Sequence, residues 1–388
     1  MQSLDSKRSM DSALDKVKSC RERLAGCLFK IPPTSLKKEL SLRDDLRTGS
    51  LSSHMLRVTE DLTPTLEDAV QLACNNLGFP REILDVYVRP KNENNAFSST
   101  DGARAKVVFN SYLVESSNLE ELAYVVGHEL GHYIFPEANV RQLTPNIEGC
   151  MISRFSEFTM DRIGLIACRS VDKAVSAELK SLSGLSNKHL RMDATAIVAQ
   201  WREASQSQDM ADIWLLATHP PTGMRAKALI QFFGSDAYRQ ATGLTGGVPI
   251  ELVNSTLEEE LNQVLDNKAQ NLISEKLNKL SAWLFAFVAS RGIKLRLANL
   301  RHGLCTAPDD MLEKCFQIIM EDTPENNREK LSNEKLINIL KESCAVAPGH
   351  TRNYLQSVAE SSIEIKPLIQ QLDAISRQQG IIITTSKN

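Results

Sequence analysis

The sequence predicts a mainly helical α+β protein, in which a domain with a small β-sheet is followed by an all-α domain. Three short stretches have the β-branched and aromatic composition of strands: LDVYV (84–88), NAFSST (95–100) and KVVFN (106–110). Apolar residues recur at helical spacing on both sides of this segment. From about Pro249 onward the sequence is charged and almost entirely helical, with breaks near Gly292, Pro308, Pro324 and Pro348.

The elements can be predicted in order along the chain. The first residues form a helical arm that Pro32 and Pro33 interrupt, and the small polar stretch 47–54 is typical of a linker. A helix is then predicted over Thr65–Leu77, where Gly78 and Pro80 end it. The three strands follow it. We therefore predict an N-terminal arm and linker over 1–60, a central domain over 61–248 and a helical domain over 249–388.

The next helix is predicted from Leu119 to about Phe135. Asn118 and Glu121 stand three residues apart, as the two members of a capping box do, and Pro136 ends the helix. Further helices are predicted over Met151–Cys168, Ala194–Ala204 and Asp209–Leu216. The tail GIIITTSKN is rich in β-formers, and we expect it to add an edge strand or to fray.

Composition excludes several classes of protein. The 388 residues are 42% hydrophobic and carry a net charge of -3, and aromatic residues are only 5% of the chain, so a nucleic-acid partner is not expected. The N-terminus lacks the apolar segment of a signal peptide, and the apolar run Ala282–Ala289 is too short to span a bilayer. Eight cysteines without CxxC spacing are typical of reduced thiols. We therefore expect a cytoplasmic protein without transmembrane segments.

The stretch VVGHELGHYIF (125–135) places three polar residues inside an apolar helix. His128 and His132 are four residues apart and therefore project from one helical face, where both imidazoles can bind one metal ion. Glu129 lies beside them as a candidate general base for a water molecule activated by zinc. Chance occurrence is the alternative, but burying these groups without a partner would cost several kcal/mol.

A catalytic zinc site needs a third protein ligand, and Glu157 on the following helix is a candidate. Asp161 lies one turn further on, where it could accept the free ring N–H of a ligand histidine and fix its tautomer. The alternative for both carboxylates is a solvated helix face.

Two more segments complete a recognisable set: ATHPPTGMRAKAL (217–229) and the Asn95–Phe97 part of NAFSST. With His128–His132 and the Glu157 and Asp161 pair, they resemble the gluzincin metallopeptidases that include the CAAX prenyl protease and the heat-shock protease HtpX. The resemblance covers about residues 65–232. Two departures are evident: the sequence lacks the transmembrane helices of the membrane members, and the spacing from His132 to Glu157 is short for that family.

The resemblance implies a zincin-like fold for the central domain and a role for each matched residue. His128, His132 and Glu157 would bind Zn²⁺, and Glu129 would be the general base. His219 would lie near the site as a donor to the oxyanion, and Arg225 would brace the site electrostatically. Substrate backbone would add to the strand at Asn95, Ala96 and Phe97.

The leading hypothesis is a zinc endopeptidase of cytoplasmic protein quality control or stress response. Its partners would be protein or peptide substrates and, through the C-terminal helices, a further protein. Two alternatives stay open: a zinc-stabilised interaction protein without catalysis, and a regulatory protease that cuts one partner. Retention of Glu129 argues against the first alternative, because a structural zinc site has no use for a base.

Overall fold

The computed structural model describes residues 2–30, 54–100, 103–138, 146–191, 193–206, 213–289 and 333–361, together with residues 366, 367, 369, 370 and 374. Most of the predicted linker over 47–54 and the whole β-rich tail after Gly380 lie outside these ranges.

A four-stranded mixed sheet lies near the start of the central domain. It contains β1 (Leu56–Arg57), β2 (Leu84–Arg89), β3 (Ala96–Thr100) and β4 (Ala105–Asn110), in the spatial order β1-β2-β4-β3. The pair β2 and β4 is parallel, with Val86 opposite Val107, whereas β1 and β3 pair antiparallel to their neighbours. The three predicted strands are confirmed. Strand β4 is buried along its whole length, and β3 is a half-buried edge strand.

Among the residues that the structure describes, nine helices precede or surround this sheet. They are α1 (Gln2–Leu24), α2 (Pro64–Leu77), α3 (Ser111–Ser116), α4 (Leu119–Ile134), α5 (Ile147–Cys168), α6 (Val171–Ser183), α7 (Ala194–Ala204), α8 (Thr222–Phe233) and α9 (Asp236–Ala241). In addition, 3₁₀ turns occupy Ala25–Cys27, Arg81–Ile83 and Pro136–Ala138.

The C-terminal region is helical throughout the part that the structure describes. It contains α10 (Ile250–Leu261), α11 (Asn267–Ala289), α12 (Asn333–Val346) and α13 (Pro348–Ser361), and a π-helical turn over Asn262–Asp266 joins α10 to α11. The prediction of a mainly α-helical α+β protein is therefore confirmed.

Local sequence accounts for the position of α4 and α5. The Asn118 side chain accepts from the Glu121 N–H, and the Glu121 side chain accepts from the Asn118 N–H, so the predicted capping box is confirmed. Helix α5 begins at Ile147, four residues before the predicted start at Met151, because the Asn146 side chain accepts the Gly149 N–H and caps it there.

The helix predicted over Asp209–Leu216 lies partly outside the described residues and does not reach Leu216. Of its eight residues, 209–212 lie outside the described ranges, Ile213 is helical and 214–216 form a turn. The carbonyl oxygens of Trp214 and Leu216 accept hydrogen bonds from side chains of α5, so they are held by tertiary contacts rather than by a helix.

The three largest hydrophobic cores hold most of the described residues together. The first lies between the sheet and helices α2, α4, α5, α6 and α8, and α1 adds Cys20 and Leu24 to it. The second joins α11, α12 and α13, with Ile147 and Met151 from the start of α5. The third packs residues of α10 and the π-helical turn against Phe158 and Trp201. Helix α5 thus contributes to all three cores, and the boundaries predicted at 60 and 248 stay predictions.

No described helix is both long enough and apolar enough to cross a membrane.

Candidate metal centre

The candidate centre lies where α4 and α5 pack side by side. Glycines allow this close approach: a Cβ added at Gly127 would lie 2.3 Å from the Ala167 Cβ and 3.0 Å from the Gly164 Cα. A Cβ at Gly131 would lie 2.6 Å from the Met160 sulfur. Because only glycine fits at Gly127, the two helices come close enough for α5 side chains to reach the histidines of α4.

His128, His132 and Glu157 converge at this contact. Each offers one ligand atom, and these atoms all lie within 4.8 Å of one another. The two imidazole rings are 5.3 Å apart between centroids, and Nε2 of His128 lies 3.4 Å from Oε2 of Glu157. Two imidazoles and one carboxylate are the donor set of one class of catalytic zinc sites. The group could hold a metal ion.

The Glu157 carboxylate has an unusual environment for a charged group. The residue is 7% exposed, and its Oε2 atom makes no hydrogen bond to any residue that the structure describes. Such a buried acceptor costs free energy unless a partner binds it. The orphaned oxygen faces the histidine pair, so the residues present fit a cation at this position.

A second layer of polar residues surrounds the three candidate ligands. Oδ1 of Asp161 lies 3.1 Å from Nδ1 of His128, on the opposite side of the ring from Glu157. Arg225 donates to both Asp161 oxygens, at 2.9 and 2.5 Å, and its third nitrogen lies 2.6 Å from Glu178. The Tyr124 hydroxyl contacts both carboxylates, at 2.9 Å from Asp161 and 2.8 Å from Glu178.

These charges shift the ionisation of the whole cluster. Burial alone would raise the pKa of Glu157, but close contact with His128 and the charge of this imidazole outweigh the effect of burial and lower the pKa to about 2. Burial disfavours the charged form of His128, yet Asp161 and Glu157 raise the pKa of this imidazole well above its usual value. Arg225 likewise overcomes the effect of burial and holds the pKa of Asp161 far below its usual range. Both carboxylates are therefore anionic.

Residues 60–232 match the model of peptidase family M48. The chain therefore carries a peptidase family M48 domain. Neither the curated proteins nor the solved structures gave a significant match. The resemblance predicted over about residues 65–232 is confirmed, and the family is one of metallopeptidases.

The M48 domain brings His219 to the candidate centre from a loop. Its Nε2 atom lies 3.6 Å from Oε1 of Glu157, and its Nδ1 lies 3.0 Å from the Thr218 hydroxyl. The His219 side chain is 64% exposed, whereas Pro220 and Pro221 behind it are buried. This histidine thus approaches the centre from the solvent side, at the end of a segment that the prolines anchor.

The two other predicted residues also lie within the M48 domain. Glu129 is 8% exposed and follows His128 on α4. Arg225, on α8, is 3.8 Å from Oε2 of Glu157 and contacts the site mainly through Asp161.

The predicted substrate strand forms one edge of the sheet. Ala96 and Phe97 belong to β3, and Asn95 precedes it and accepts the Asn110 N–H through its carbonyl. Strand β3 also contacts α4, which carries the two histidines. The Phe97 ring packs with Tyr87 and Val108 and has the Arg89 guanidinium 4.7 Å from its centroid.

Two residues of the cluster were not predicted from the sequence. Tyr124 stands one turn before His128, so helical spacing could have identified it. Glu178 lies on α6, and only the fold brings it to Arg225.

Proposed function

We propose that this protein is a zinc-dependent endopeptidase that hydrolyses peptide bonds with an activated water molecule. The observation that carries the proposal is the convergence of His128, His132 and Glu157 within 4.8 Å of one another in an M48 domain. An imidazole pair and a carboxylate with an orphaned oxygen suit zinc better than Mg²⁺ or Ca²⁺, which prefer sites made of oxygen ligands.

His128, His132 and Glu157 would hold the metal. When bound, zinc lowers the pKa of a coordinated water toward neutrality and polarises the scissile carbonyl. Asp161 accepts the Nδ1–H of His128, which leaves the Nε2 lone pair directed toward Glu157 and free to act as a ligand.

Glu129 is the general base of the proposed reaction. Its carboxylate accepts a proton from the water that attacks the carbonyl carbon, and it then delivers this proton to the leaving nitrogen. Glu129 follows the proposed ligand His128 on α4, and close contacts at the glycines hold this helix against α5.

His219 and Arg225 serve the site in different ways. The exposed His219 ring faces the entrance and donates a hydrogen bond to the oxygen of the substrate carbonyl as negative charge develops on it. Arg225 touches no part of the substrate. It is held between Asp161 and Glu178, where it balances two buried carboxylates and fixes the orientation of Asp161 toward His128.

Substrates are unfolded or locally extended polypeptides. Strand β3 lies at the sheet edge beside α4, and an extended chain that pairs with Asn95–Phe97 would pass along the helix that carries the histidines. Backbone pairing reads little sequence, which favours protein quality control or a stress response over cleavage of a single partner. Such a narrow specificity would appear as cleavage of one native protein and of no unfolded one.

The test is cleavage of an unfolded, fluorescently labelled polypeptide by the full-length protein reconstituted with zinc. Glu129→Gln should keep its zinc and lose turnover by at least about a hundredfold, because the ligands remain while the base is lost. Glu120→Gln makes the same change about two and a half turns earlier on α4 and should leave both zinc and turnover unaltered. Equal turnover in wild type and Glu129→Gln would refute the mechanism.

A further inference from the structure

Arg154 is fully buried and connects three parts of the molecule. It lies on α5, three residues before Glu157, and is 0% exposed. One of its nitrogens donates to the Trp214 carbonyl at 3.1 Å and to the Ala217 carbonyl at 2.6 Å. Another donates to Oδ1 of Asp266 at 2.5 Å. None of these partners could have been identified from local sequence, because the Arg154 and Asp266 pair spans 112 residues.

A single face of α5 carries both the metal site and the anchor for the His219 loop. Cys150, Arg154, Glu157 and Asp161 follow at spacings of four, three and four residues, which places all of them on one side of the helix. Cys150 adds a further contact, with its thiol 3.4 Å from the Leu216 carbonyl. The carbonyls at 214, 216 and 217 are thus held by the same helix face that presents Glu157.

These held carbonyls stand immediately before His219. Ala217 is two residues from it, and the buried Pro220 and Pro221 restrain the other side. The 3.6 Å separation between His219 Nε2 and Glu157 Oε1 therefore depends on a short segment that Arg154 and the prolines fix at its two ends.

The acidic partner of Arg154 belongs to the C-terminal helical region. Asp266 is 0% exposed and ends the π-helical turn between α10 and α11. Such turns interrupt a helix at a defined point and are frequent at functional sites. The same region contacts the start of α5, where Glu148 accepts the backbone N–H groups of Gly349 and His350 at the beginning of α13.

We propose that the buried Arg154 and Asp266 pair positions the segment 213–219, and with it His219, against Glu157, and that this placement depends on the C-terminal helix that carries Asp266. The proposal extends the peptidase function proposed above. Arg154 is a positioning residue, since it touches neither a candidate ligand nor the substrate edge. The C-terminal helices can therefore regulate activity. A movement of the α10–α11 junction that separates Asp266 from Arg154 would weaken the hydrogen bonds from Arg154 to the Trp214 and Ala217 carbonyls and displace His219.

If the Arg154 and Asp266 pair only stabilised the fold, replacing both residues would have a different effect from the one that this proposal predicts. Replacing such a pair by apolar side chains of similar size is often neutral or stabilising. The double substitution Arg154→Met with Asp266→Leu leaves no unpaired charge, yet it removes the nitrogen that donates to the Trp214 and Ala217 carbonyls. The double variant therefore separates stability from loop placement.

The experiment is hydrogen exchange of the full-length protein, followed by mass spectrometry of peptides covering 213–219 and the helix Leu119–Ile134. Asp266→Asn and the double variant should speed exchange in 213–219 by roughly tenfold or more, as expected for the loss of a hydrogen bond to a charged group, relative to the helix peptide. Asp85→Asn is the matched control, because it neutralises another buried carboxylate, which pairs with Arg57 and Arg104 on the sheet. It should leave 213–219 unchanged.

Exchange in 213–219 that stays at the wild-type rate in both variants, or that rises equally in Leu119–Ile134, would overturn the proposal. A wild-type exchange rate of 213–219 in the double variant alone would also overturn it, since the pair would then only stabilise the fold.

Turnover is a second readout. Both variants should lower kcat about tenfold with KM changed less than about twofold, and Asp266→Glu should restore kcat. If His219→Ala has no effect on kcat, the proposed role of His219 fails, and hydrogen exchange still decides the role of Arg154.

Discussion

His128 and Asp161 face one another across the contact between α4 and α5, with Nδ1 of the imidazole 3.1 Å from Oδ1 of the carboxylate. The same carboxylate receives two nitrogens of Arg225 and the hydroxyl of Tyr124. One ring nitrogen of His128 is thereby occupied by a residue that is itself fixed by two others. The opposite nitrogen is directed toward Glu157. This orientation is what a histidine ligand requires, and the side chains of Asp161, Arg225 and Tyr124 alone provide it.

Asp161→Asn should weaken zinc binding. The amide can be oriented with its nitrogen toward His128 and carries no charge, so the ring is neither oriented nor made more basic. We expect zinc affinity to fall about 10- to 100-fold. The measurement is competition against a chromophoric chelator. Asp85→Asn, on β2, is the control and should bind zinc like wild type; equal affinity in the two variants would remove Asp161 from the site.

Arg225→Met should destabilise the fold more than the loss of an exposed ion pair. The side chain is 11% exposed and lies between Asp161 and Glu178, so its removal leaves two buried carboxylates without the cation that both of them contact. A loss of about 3–5 kcal/mol in the free energy of unfolding is expected.

Lys227→Met is the matched control for Arg225→Met, two residues further along α8. Lys227 pairs with Glu260 at 2.6 Å, but its side chain is one-third exposed, so its removal should cost about 1 kcal/mol or less. Urea denaturation of the metal-free proteins compares the two variants. Similar midpoints would show that Arg225 does not hold the cluster together.

His219→Ala should lower turnover while the metal stays bound. The ring is at the solvent side of the centre, 3.6 Å from Glu157, where it can meet the substrate carbonyl. Losing one donor to a developing oxyanion should reduce kcat about a hundredfold. His189→Ala, an exposed histidine of another loop, should have no effect. Loss of zinc in His219→Ala would instead make this residue a ligand.

Gly127→Ala should force α4 and α5 apart. The added Cβ would lie 2.3 Å from that of Ala167, so we expect overpacking to cost about 1–3 kcal/mol of stability. Zinc affinity should fall as well, because Glu157 reaches the histidines across this contact. Gly26→Ala provides the comparison, since a Cβ there meets nothing within 4 Å. Equal thermal midpoints in the two variants would contradict this view of the helix contact.

Helix capping and residue spacing, which involve only neighbouring residues, were sufficient to predict much of the central domain. The capping box at Asn118 and the helical spacing of His128 and His132 are local features, and the structure contains both. The start of α5 was predicted too late because Asn146 was not recognised as its cap. Residues whose partners are distant were not predicted: Glu178 meets Arg225 only through the packing of α6 against α8.

The predicted helix over Asp209–Leu216 illustrates the same limit. Its apolar residues have helical spacing, but Arg154 and Cys150 bind the carbonyls of the segment that leads to His219. Tertiary hydrogen bonds from α5 hold the turn over 214–216, so the helix predicted to reach Leu216 ends before Trp214. His350 likewise contacts Glu148, which is 202 residues away in the sequence, so no local spacing indicates this pair.

The most direct test of the central claim is the metal content of purified wild-type protein and of His128→Ala after reconstitution with zinc at neutral pH. We predict about one zinc ion per chain in the wild type, its loss in His128→Ala, and full occupancy in the control His189→Ala. A wild-type protein that binds no zinc, or a His128→Ala variant that retains it, would contradict the assignment of His128, His132 and Glu157 as a zinc site.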